Sequence, residues 1–376
     1  MLQCIENGCE KRRYDHKTLI NRGNGCIVPP STRVGAYMDR LGSGLEGGER
    51  DARGPTHDDD VGPAATDPAQ AASPGSHPAI PLGDGHEELV LRAQNRLNLP
   101  ERLFNLSELD VLYDAGNRAL WTYMRPAGRP SFTPSMLGDF ESWQQLISSH
   151  FGEGRVPLDY LILGSRAPGV FCFGGDLELF QHLIRTGDRA GLVRYGYRCV
   201  DILYRNIHAL DLPTLTIGLV QGQALGGGFE ALLSFDYIIA ERGSTFGLPE
   251  VMFGLFPGMG AHAILSRKLG TAMADRIILE NRTYTADEMW ELGIVTRVAE
   301  PGEGEAVVRD FLAKASRRHA GFLGARRAMR RAAPITLEEL HDIVDHWADA
   351  ALKLTDTDLR LMNKLTSAQK KLALTA

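Results

Sequence analysis

Short apolar runs alternate with amphipathic segments along most of the chain, and this alternation predicts its secondary structure. The predicted strands lie at 109–114, 119–124, 158–164, 214–220, 236–240 and 294–298. The predicted helices cover 88–97, 135–150, 176–184, about 190–210, 228–233, 285–292, 340–351 and about 356–372. Strand, turn and short helix recur at intervals, so the pattern predicts an α/β fold rather than a helical bundle.

The chain divides into three parts on this pattern. Residues 1–86 are predicted to form a disordered extension, because Gly, Pro, Ala, Asp and Ser dominate its second half and cannot bury enough apolar surface to offset the ordering entropy. The strands and short helices of 87–300 are predicted to form the core. Residues 301–376 form a predicted helical region whose apolar stripes need a partner, either the core or another subunit.

Composition narrows the classes of function. The formal net charge of −6 argues against general nucleic-acid binding. The five cysteines are odd in number and form no disulfide framework, which favours a reducing compartment. No apolar run approaches the length of a membrane span, and the first residues lack the apolar centre of a signal peptide. We therefore expect a cytoplasmic protein. We expect no metal site, since Cys4, Cys9, His16 and Cys26 fit no usual zinc spacing.

Two glycine stretches each join a predicted strand to a predicted helix. They are Gly174-Gly175 and Gly226-Gly-Gly228. Each leaves unpaired backbone N–H groups at the positive end of a helix dipole. Two such groups aimed at one point would polarise a carbonyl and stabilise an enolate, whereas one alone could hold a phosphate. The glycines could also serve only close packing of helix on strand. A P-loop is excluded because no Gly-Lys-Ser/Thr follows either stretch.

Two glutamates follow the second glycine stretch. Glu230 stands among apolar neighbours in the predicted helix, where a carboxylate needs a partner or a raised pKa, and this suits a general acid or base. Glu250 follows Pro249, where it could instead bind amides at a helix start. Asp176 is predicted to be a helix N-cap, and Cys172 a buried thiol.

These residues belong to a series of motifs whose order and spacing resemble the crotonase (enoyl-CoA hydratase/isomerase) superfamily. The motifs are Phe173-Gly-Gly-Asp-Leu177, Val220-Gln-Gly-Gln-Ala-Leu-Gly-Gly-Gly-Phe-Glu230, Asp236-Tyr-Ile-Ile-Ala-Glu241, Phe246-Gly-Leu-Pro-Glu250 and Phe256-Pro-Gly-Met-Gly260. The resemblance extends from about Leu109 to the end of the chain. Within the superfamily it is stronger to the bacterial diffusible signal factor synthases. Ala261-His-Ala-Ile-Leu265 departs from the Gly-Thr-Gln-Arg type of sequence that ordinary hydratases carry there.

The resemblance implies a crotonase-like spiral of repeated ββα units with a C-terminal helical region for oligomerisation or for covering the active site. It makes Gly175 and Gly227 the oxyanion-hole donors, and Glu230 and Glu250 the acid–base pair. By analogy Glu250 is the base and Glu230 the acid, with the exchanged assignment open. The implied enzyme dehydrates a 3-hydroxyacyl thioester to a cis-2-enoyl thioester and hydrolyses it to a free unsaturated fatty acid signal for quorum sensing.

The resemblance also implies partners. The acyl chain would be carried on acyl carrier protein phosphopantetheine or on CoA, with no further cofactor. A trimer-based homo-oligomer and a sensor histidine kinase partner are expected. The basic stretch Lys314–Arg331 is either a solvated helix face or a dock for the carrier protein or CoA phosphates. Two other functions stay open. One is an enoyl-CoA hydratase of fatty-acid metabolism. The other is a catalytically idle binding partner of the kinase, against which the intact glutamates and glycines weigh.

Overall fold

The computed structural model describes residues 99–375, and the predicted extension and the predicted helix at 88–97 lie outside that range. The strands are β1 (Leu109–Asp114), β2 (Ala119–Met124), β3 (Tyr160–Ser165), β4 (Val170–Cys172), β5 (Leu215–Val220), β6 (Gln223–Leu225), β7 (Tyr237–Glu241), β8 (Thr245–Gly247), β9 (Tyr284–Thr285) and β10 (Arg297–Ala299). The helices are α1 (Pro134–His150), α2 (Leu177–Arg185), α3 (Arg189–Ile207), α4 (Gly227–Leu233), α5 (Ala261–Leu269), α6 (Thr271–Leu279), α7 (Ala286–Glu291), α8 (Gly304–Ser316), α9 (His319–Ala332), α10 (Leu337–Ala351) and α11 (Asp356–Thr375). Short 3₁₀ helices occur at Glu101–Leu103, Ala209–Asp211 and Glu250–Phe253.

Two sheets carry the described part of the chain. The main sheet has the strand order β1-β2-β3-β5-β7-β10. Its first two strands form an antiparallel hairpin, and the pairs from β2 onwards are parallel. The second sheet has the order β4-β6-β8-β9, in which only the pair β8–β9 is antiparallel. The fold is therefore α/β, as the alternation of strands and helices predicted.

The same three-part unit occurs three times in succession. In each unit a long strand joins the main sheet, a three-residue strand joins the second sheet, and a helix follows: β3-β4-α2, β5-β6-α4, and β7-β8 with the 3₁₀ helix Glu250–Phe253. Equivalent strands pair with each other in both sheets, so each unit is displaced from the previous one by one strand. This arrangement confirms the spiral of ββα units.

The two faces of the main sheet are covered by different helices. Side chains of β3, β5 and β7 alternate between the faces, as the strand period requires. One face, which includes Ile162, Ile217 and Tyr237, packs against α8 and α9. The other face packs against the larger cluster formed by the remaining helices. All the cavities described below belong to this larger cluster.

Most predicted elements are present with shifted ends, and two local predictions fail in part. The strand predicted at 294–298 begins at Arg297 and is only three residues long. Thr336-Leu-Glu-Glu339 has the sequence of a helix capping box, which predicts two reciprocal hydrogen bonds, but the box is only half formed. The Thr336 hydroxyl accepts from the Glu339 amide at 3.1 Å, but the Glu339 carboxylate binds Arg267 at 2.8 Å instead. The complete capping box lies at Thr285 and Glu288, where α7 begins.

Neither a membrane span nor a metal cluster is found in residues 99–375. Each helix there is too short or too polar to cross a bilayer. No group of three or more His, Cys, Asp or Glu side chains in this range is placed to hold a metal ion.

Candidate active site

The two glycine stretches, far apart in sequence, meet in the structure. Gly174 has φ +86°, and a Cβ added there would lie 2.4 Å from the Gly227 nitrogen. A Cβ added at Gly227 would lie 3.4 Å from the Gly175 nitrogen. No side chain larger than hydrogen fits at Gly174, because its backbone is in direct contact with that of Gly227. The proposed donor amides of Gly175 and Gly227 therefore lie close together.

Three of the amides that flank these two positions are already bound within the protein. Gly174 donates to Cys172 Sγ at 3.3 Å, and Gly226 donates to the Gly247 carbonyl at 2.8 Å. The Asp176 amide donates to the Tyr195 hydroxyl at 3.1 Å. Gly227 is the first residue of α4, where no carbonyl of the same helix is within reach of its N–H. Its amide is thus available to a bound carbonyl oxygen.

Glu230 is enclosed and held by two main-chain amides. Its side chain lies in the first turn of α4, and the residue is 1% exposed. Oε1 accepts from the amides of Met259, at 2.8 Å, and Ala261, at 3.0 Å, at the N-terminus of α5. Burial raises the pKa of Glu230 to about 7, although the two amides favour the charged form and act in the opposite direction.

The surroundings of Glu250 stabilise a negative charge much less than those of Glu230 do. It is the first residue of the 3₁₀ helix Glu250–Phe253. Its Oε1 atom lies close to Gly226, since a Cβ added to Gly226 would be only 2.7 Å from it. The residue as a whole is partly exposed, but its Oε2 atom is enclosed and has no hydrogen-bond partner among residues 99–375. Burial, and secondly the charge of Glu230, hold the pKa of Glu250 well above its ordinary value.

The two carboxyl groups therefore differ in whether their surroundings favour the carboxylate or the protonated carboxylic acid. When the pair carries one proton, this proton rests on Glu250, because two amides of other residues stabilise the Glu230 anion, whereas only its own main-chain amide stabilises the Glu250 anion. A singly protonated carboxyl pair can donate a proton at one atom and accept one at another. The site is thus equipped for acid–base chemistry on a single substrate.

One cavity contains all four residues that the sequence singled out. It encloses about 620 Å³ of space, part of it open to solvent, and Gly175, Gly227, Glu230 and Glu250 all line it. The rest of the wall is largely apolar. It includes Phe180, Tyr195, Leu255, Met259, Trp347 and Leu365. The ring centres of Tyr195 and Trp347 each lie 5.0 Å from the ring centre of Phe180, in an edge-to-face arrangement. Helices α10 and α11 thus contribute residues to the wall of the cavity.

Arg129 supports the first glycine stretch and was not predicted from the sequence. Its side chain is 6% exposed and donates to the Gly175 carbonyl at 3.3 Å and to Gln369 Oε1 at 2.7 Å. Asp176 lies 3.6 Å from the same guanidinium. The arginine therefore joins the Gly175 turn to helix α11. It follows Gly128 and precedes Pro130 in a loop, a context that carries no recognisable signal.

Two other candidates have structural roles. Asp176 caps α2, where its carboxylate accepts from the amides of Glu178 and Leu179, and this confirms the predicted N-cap. Cys172 is buried as predicted, and Cys199 is buried as well. Burial raises the pKa of each thiol to about 12, so both stay protonated and unreactive near neutral pH.

The basic stretch Lys314–Arg331 does not form a single helix face exposed to solvent. Arg330 binds Asp236 at 2.8 Å, with only 18% and 8% of the two side chains exposed, and the Arg326 guanidinium lies 4.3 Å from the centre of the Tyr237 ring. These two arginines fasten α9 to the main sheet, so neither alternative predicted for the stretch applies to them. Helix α9 also covers the sheet face opposite to the cluster that holds the cavity.

Comparisons with known proteins agree with this fold. The sequence profile described as enoyl-CoA hydratase/isomerase matches residues 157–370. The fatty acid oxidation complex subunit alpha of Idiomarina loihiensis is 45% identical over 170 residues, which make up 44% of this chain and 23% of that protein. The short-chain-enoyl-CoA hydratase of Clostridium acetobutylicum is 41% identical over 101 residues, which make up 27% of this chain and 38% of that protein. Less than half of either relative is therefore matched.

Solved structures show the same fold. An enoyl-CoA hydratase from Bacillus halodurans superposes with a TM-score of 0.58 at 19% identity, over 69% of this chain and 100% of that chain. The spiral with its paired glycine turns and buried glutamates thus defines a crotonase-type α/β protein. Because the profile covers more than half of its length, the chain belongs to the enoyl-CoA hydratase/isomerase family.

Proposed function

We propose that the cavity interconverts 3-hydroxyacyl and 2-enoyl thioesters by removing or adding water. The pair Glu230–Glu250 carries this proposal, because it places two carboxyl groups with different proton affinities beside the two glycine amides. A thioester α-proton is weakly acidic, so its removal needs a base at Cα and a trap for the enolate oxygen. Expulsion of the β-hydroxyl needs an acid at Cβ. The four residues supply these three functions.

The dehydration balances with one proton on the pair. The thioester oxygen accepts from the amides of Gly175 and Gly227. Glu250, as carboxylate, takes the proton from Cα, and the C–H electron pair forms the enolate. Glu230, as carboxylic acid, protonates the leaving hydroxyl, the Cβ–O bond breaks, and water departs as the Cα–Cβ double bond forms. Glu250 ends with the proton taken from Cα, and Glu230 ends as the carboxylate because its proton has left in the water.

The reverse reaction starts from the proton arrangement that the protein's own groups favour. There the proton rests on Glu250, ready for delivery to Cα, while the Glu230 anion can take a proton from the attacking water. Dehydration instead starts with the proton on Glu230, so binding of the 3-hydroxyacyl substrate has to favour protonated Glu230 and charged Glu250. In both directions the two glutamates together carry one proton. Activity should therefore fall at low pH, where both groups are neutral, and at high pH, where both are charged.

We further propose that the chain acts as a diffusible signal factor synthase. In that activity the enoyl product has cis geometry, and one of the glutamates then activates a second water that hydrolyses the thioester to the free unsaturated acid. The order and spacing of the motifs support this assignment, as does the sequence Ala261–Leu265, which differs from that of ordinary hydratases. The acyl carrier is acyl carrier protein or CoA, and we expect a trimer-based cytoplasmic enzyme that contacts a sensor histidine kinase.

The deciding assay offers 3-hydroxyacyl carrier protein and crotonyl-CoA to the purified chain side by side, with mass spectrometry of the released acids. Release of a cis-2 fatty acid supports the synthase. Glu230→Gln and Glu250→Gln should each lower turnover by roughly 10²–10⁴-fold. Glu291→Gln, an exposed control on α7, should not. Near-normal enoyl formation by either site variant contradicts the mechanism.

An enoyl-CoA hydratase of fatty-acid metabolism is the second candidate. The similarity to the short-chain-enoyl-CoA hydratase of C. acetobutylicum supports it. In the same assay it would hydrate crotonyl-CoA and release no free acid. A protein that turned over neither thioester would be the idle binding partner.

A further inference from the structure

A second cavity, which we call the inner chamber, adjoins the catalytic cavity. It encloses about 440 Å³ of space, part of which is open, between α1, α3 and α4. Its walls are mainly aromatic and aliphatic, with Phe140 and Trp143 from α1 and Leu203 from α3 among them. None of the four proposed catalytic residues lines it. The mechanism above therefore gives it no role.

The two cavities have two wall residues in common, Cys199 and Met259. Met259 also lies at the reacting centre. Its amide donates to Glu230 Oε1 at 2.8 Å. A Cβ added to Gly227 would lie only 2.6 Å from the Met259 sulfur, so this sulfur is in contact with Gly227. The thioether thus stands between the proposed site of the thioester carbonyl and the inner chamber.

The polar groups of the inner chamber are turned towards each other. Asn206 Nδ2 donates to Ser234 Oγ at 2.8 Å, and this hydroxyl donates to the Ala231 carbonyl at 2.5 Å. Asn206 Oδ1 has no partner among residues 99–375, but it is already shielded from solvent. Hydrocarbon that entered the chamber would therefore break none of these hydrogen bonds and would gain the free energy of apolar burial.

We propose that the inner chamber binds the distal methylenes of the acyl chain, and that the Met259 side chain determines how far the chain reaches into it. The proposal rests on the function proposed above, because that function places the thioester carbonyl at Gly175 and Gly227, beside Met259. A methionine side chain has three rotatable bonds and adapts to irregular space. It can move aside while its main-chain amide stays on Glu230.

The proposal predicts a chain-length preference that Met259 controls. Each methylene that enters the chamber should raise kcat/KM by roughly fourfold until the chamber is full. Met259→Phe should obstruct the passage and lower the ten-carbon to four-carbon ratio of kcat/KM at least tenfold. Met259→Ala should open the passage and raise that ratio. Both variants keep the amide that binds Glu230, so the position of that carboxyl group is retained.

The experiment measures this ratio on the full chain, with enoyl thioesters of whichever carrier supports turnover. Met329→Phe is the matched control, since Met329 is 59% exposed on α9 and should leave the ratio unchanged. Leu163→Phe fills the chamber from β3 and should also lower the ratio, which keeps the test decisive if Met259→Phe does not fold. Unchanged ratios in the Met259 and Leu163 variants that fold, with normal four-carbon turnover, would overturn the chamber assignment alone. Absence of turnover in the wild type would overturn the proposed function itself.

Discussion

At the scale of single residues, Glu230 and Glu250 make the site reactive at the expense of stability. A carboxyl group whose folded pKa lies above its unfolded pKa holds its proton longer in the folded state. Stability is then lost as pH rises from the unfolded pKa, about 4.3, towards the folded value. For Glu230 this window runs up to pH of about 7. For Glu250 it extends higher.

Glu230→Gln should therefore stabilise the protein above neutral pH. The amide oxygen of glutamine can still accept from Met259 and Ala261, and no charge is buried. We expect a gain on the order of 1–3 kcal/mol in the free energy of unfolding at pH 8, which disappears near pH 4. Urea unfolding at both pH values measures it, with Glu291→Gln as the control. A variant no more stable than the wild type at pH 8 would contradict the buried charge of Glu230.

The sequence identified those site residues whose amino-acid type is uncommon at their position in a strand or helix. A glutamate in an apolar helix and repeated glycines at strand ends stand out without a structure. Arg129 does not stand out, because an arginine in a loop usually has an ordinary role, and Met259 belongs to a quoted motif that assigned it no function of its own. Their place at the cavity depends on contacts between distant segments, and these contacts leave no local pattern.

At the scale of elements, helix α9 depends on its ion pair with the main sheet. Arg330→Glu should place two carboxylates together at Asp236 and lower the free energy of unfolding by about 3–5 kcal/mol. Arg331→Glu, an exposed position on the same helix, should change it by no more than about 0.5 kcal/mol. Chemical denaturation of both variants provides the comparison. Equal stability of the two would show that the Asp236 contact contributes nothing.

The long elements were predictable, whereas the short strands β6 and β8 were not. The hairpin β1–β2, helix α1 and the buried strands β3, β5 and β7 follow their apolar patterns because each fills one face or one layer of the core. Strands β6 and β8 have three residues each and adjoin the glycine turns. Such short strands exist only because they pair with each other across the repeats, and this pairing cannot be seen in any one segment.

At the scale of the whole molecule, residues 99–375 contain both sheets and all four proposed site residues. The predicted division of the chain therefore has a direct test. A chain that starts at residue 87 should keep its kcat/KM within about twofold and its melting temperature within about 2 °C. Enzyme assay and thermal unfolding of the shortened and full chains measure this. A large loss of either would mean that residues 1–86 contribute to the folded enzyme.

The bond between Arg129 and Gln369 has a consequence for the order of folding. Glu230 and Glu250 are only 20 positions apart, and their turns belong to successive repeats, so this half of the site can form from local contacts. Arg129 and Gln369 are 240 positions apart, and closing so long a loop costs more entropy than closing a short one. We therefore expect the carboxylate pair to form early and the wall of α11 to close late. A partly folded chain would then hold its acid–base groups in an open cleft, where water still reaches them.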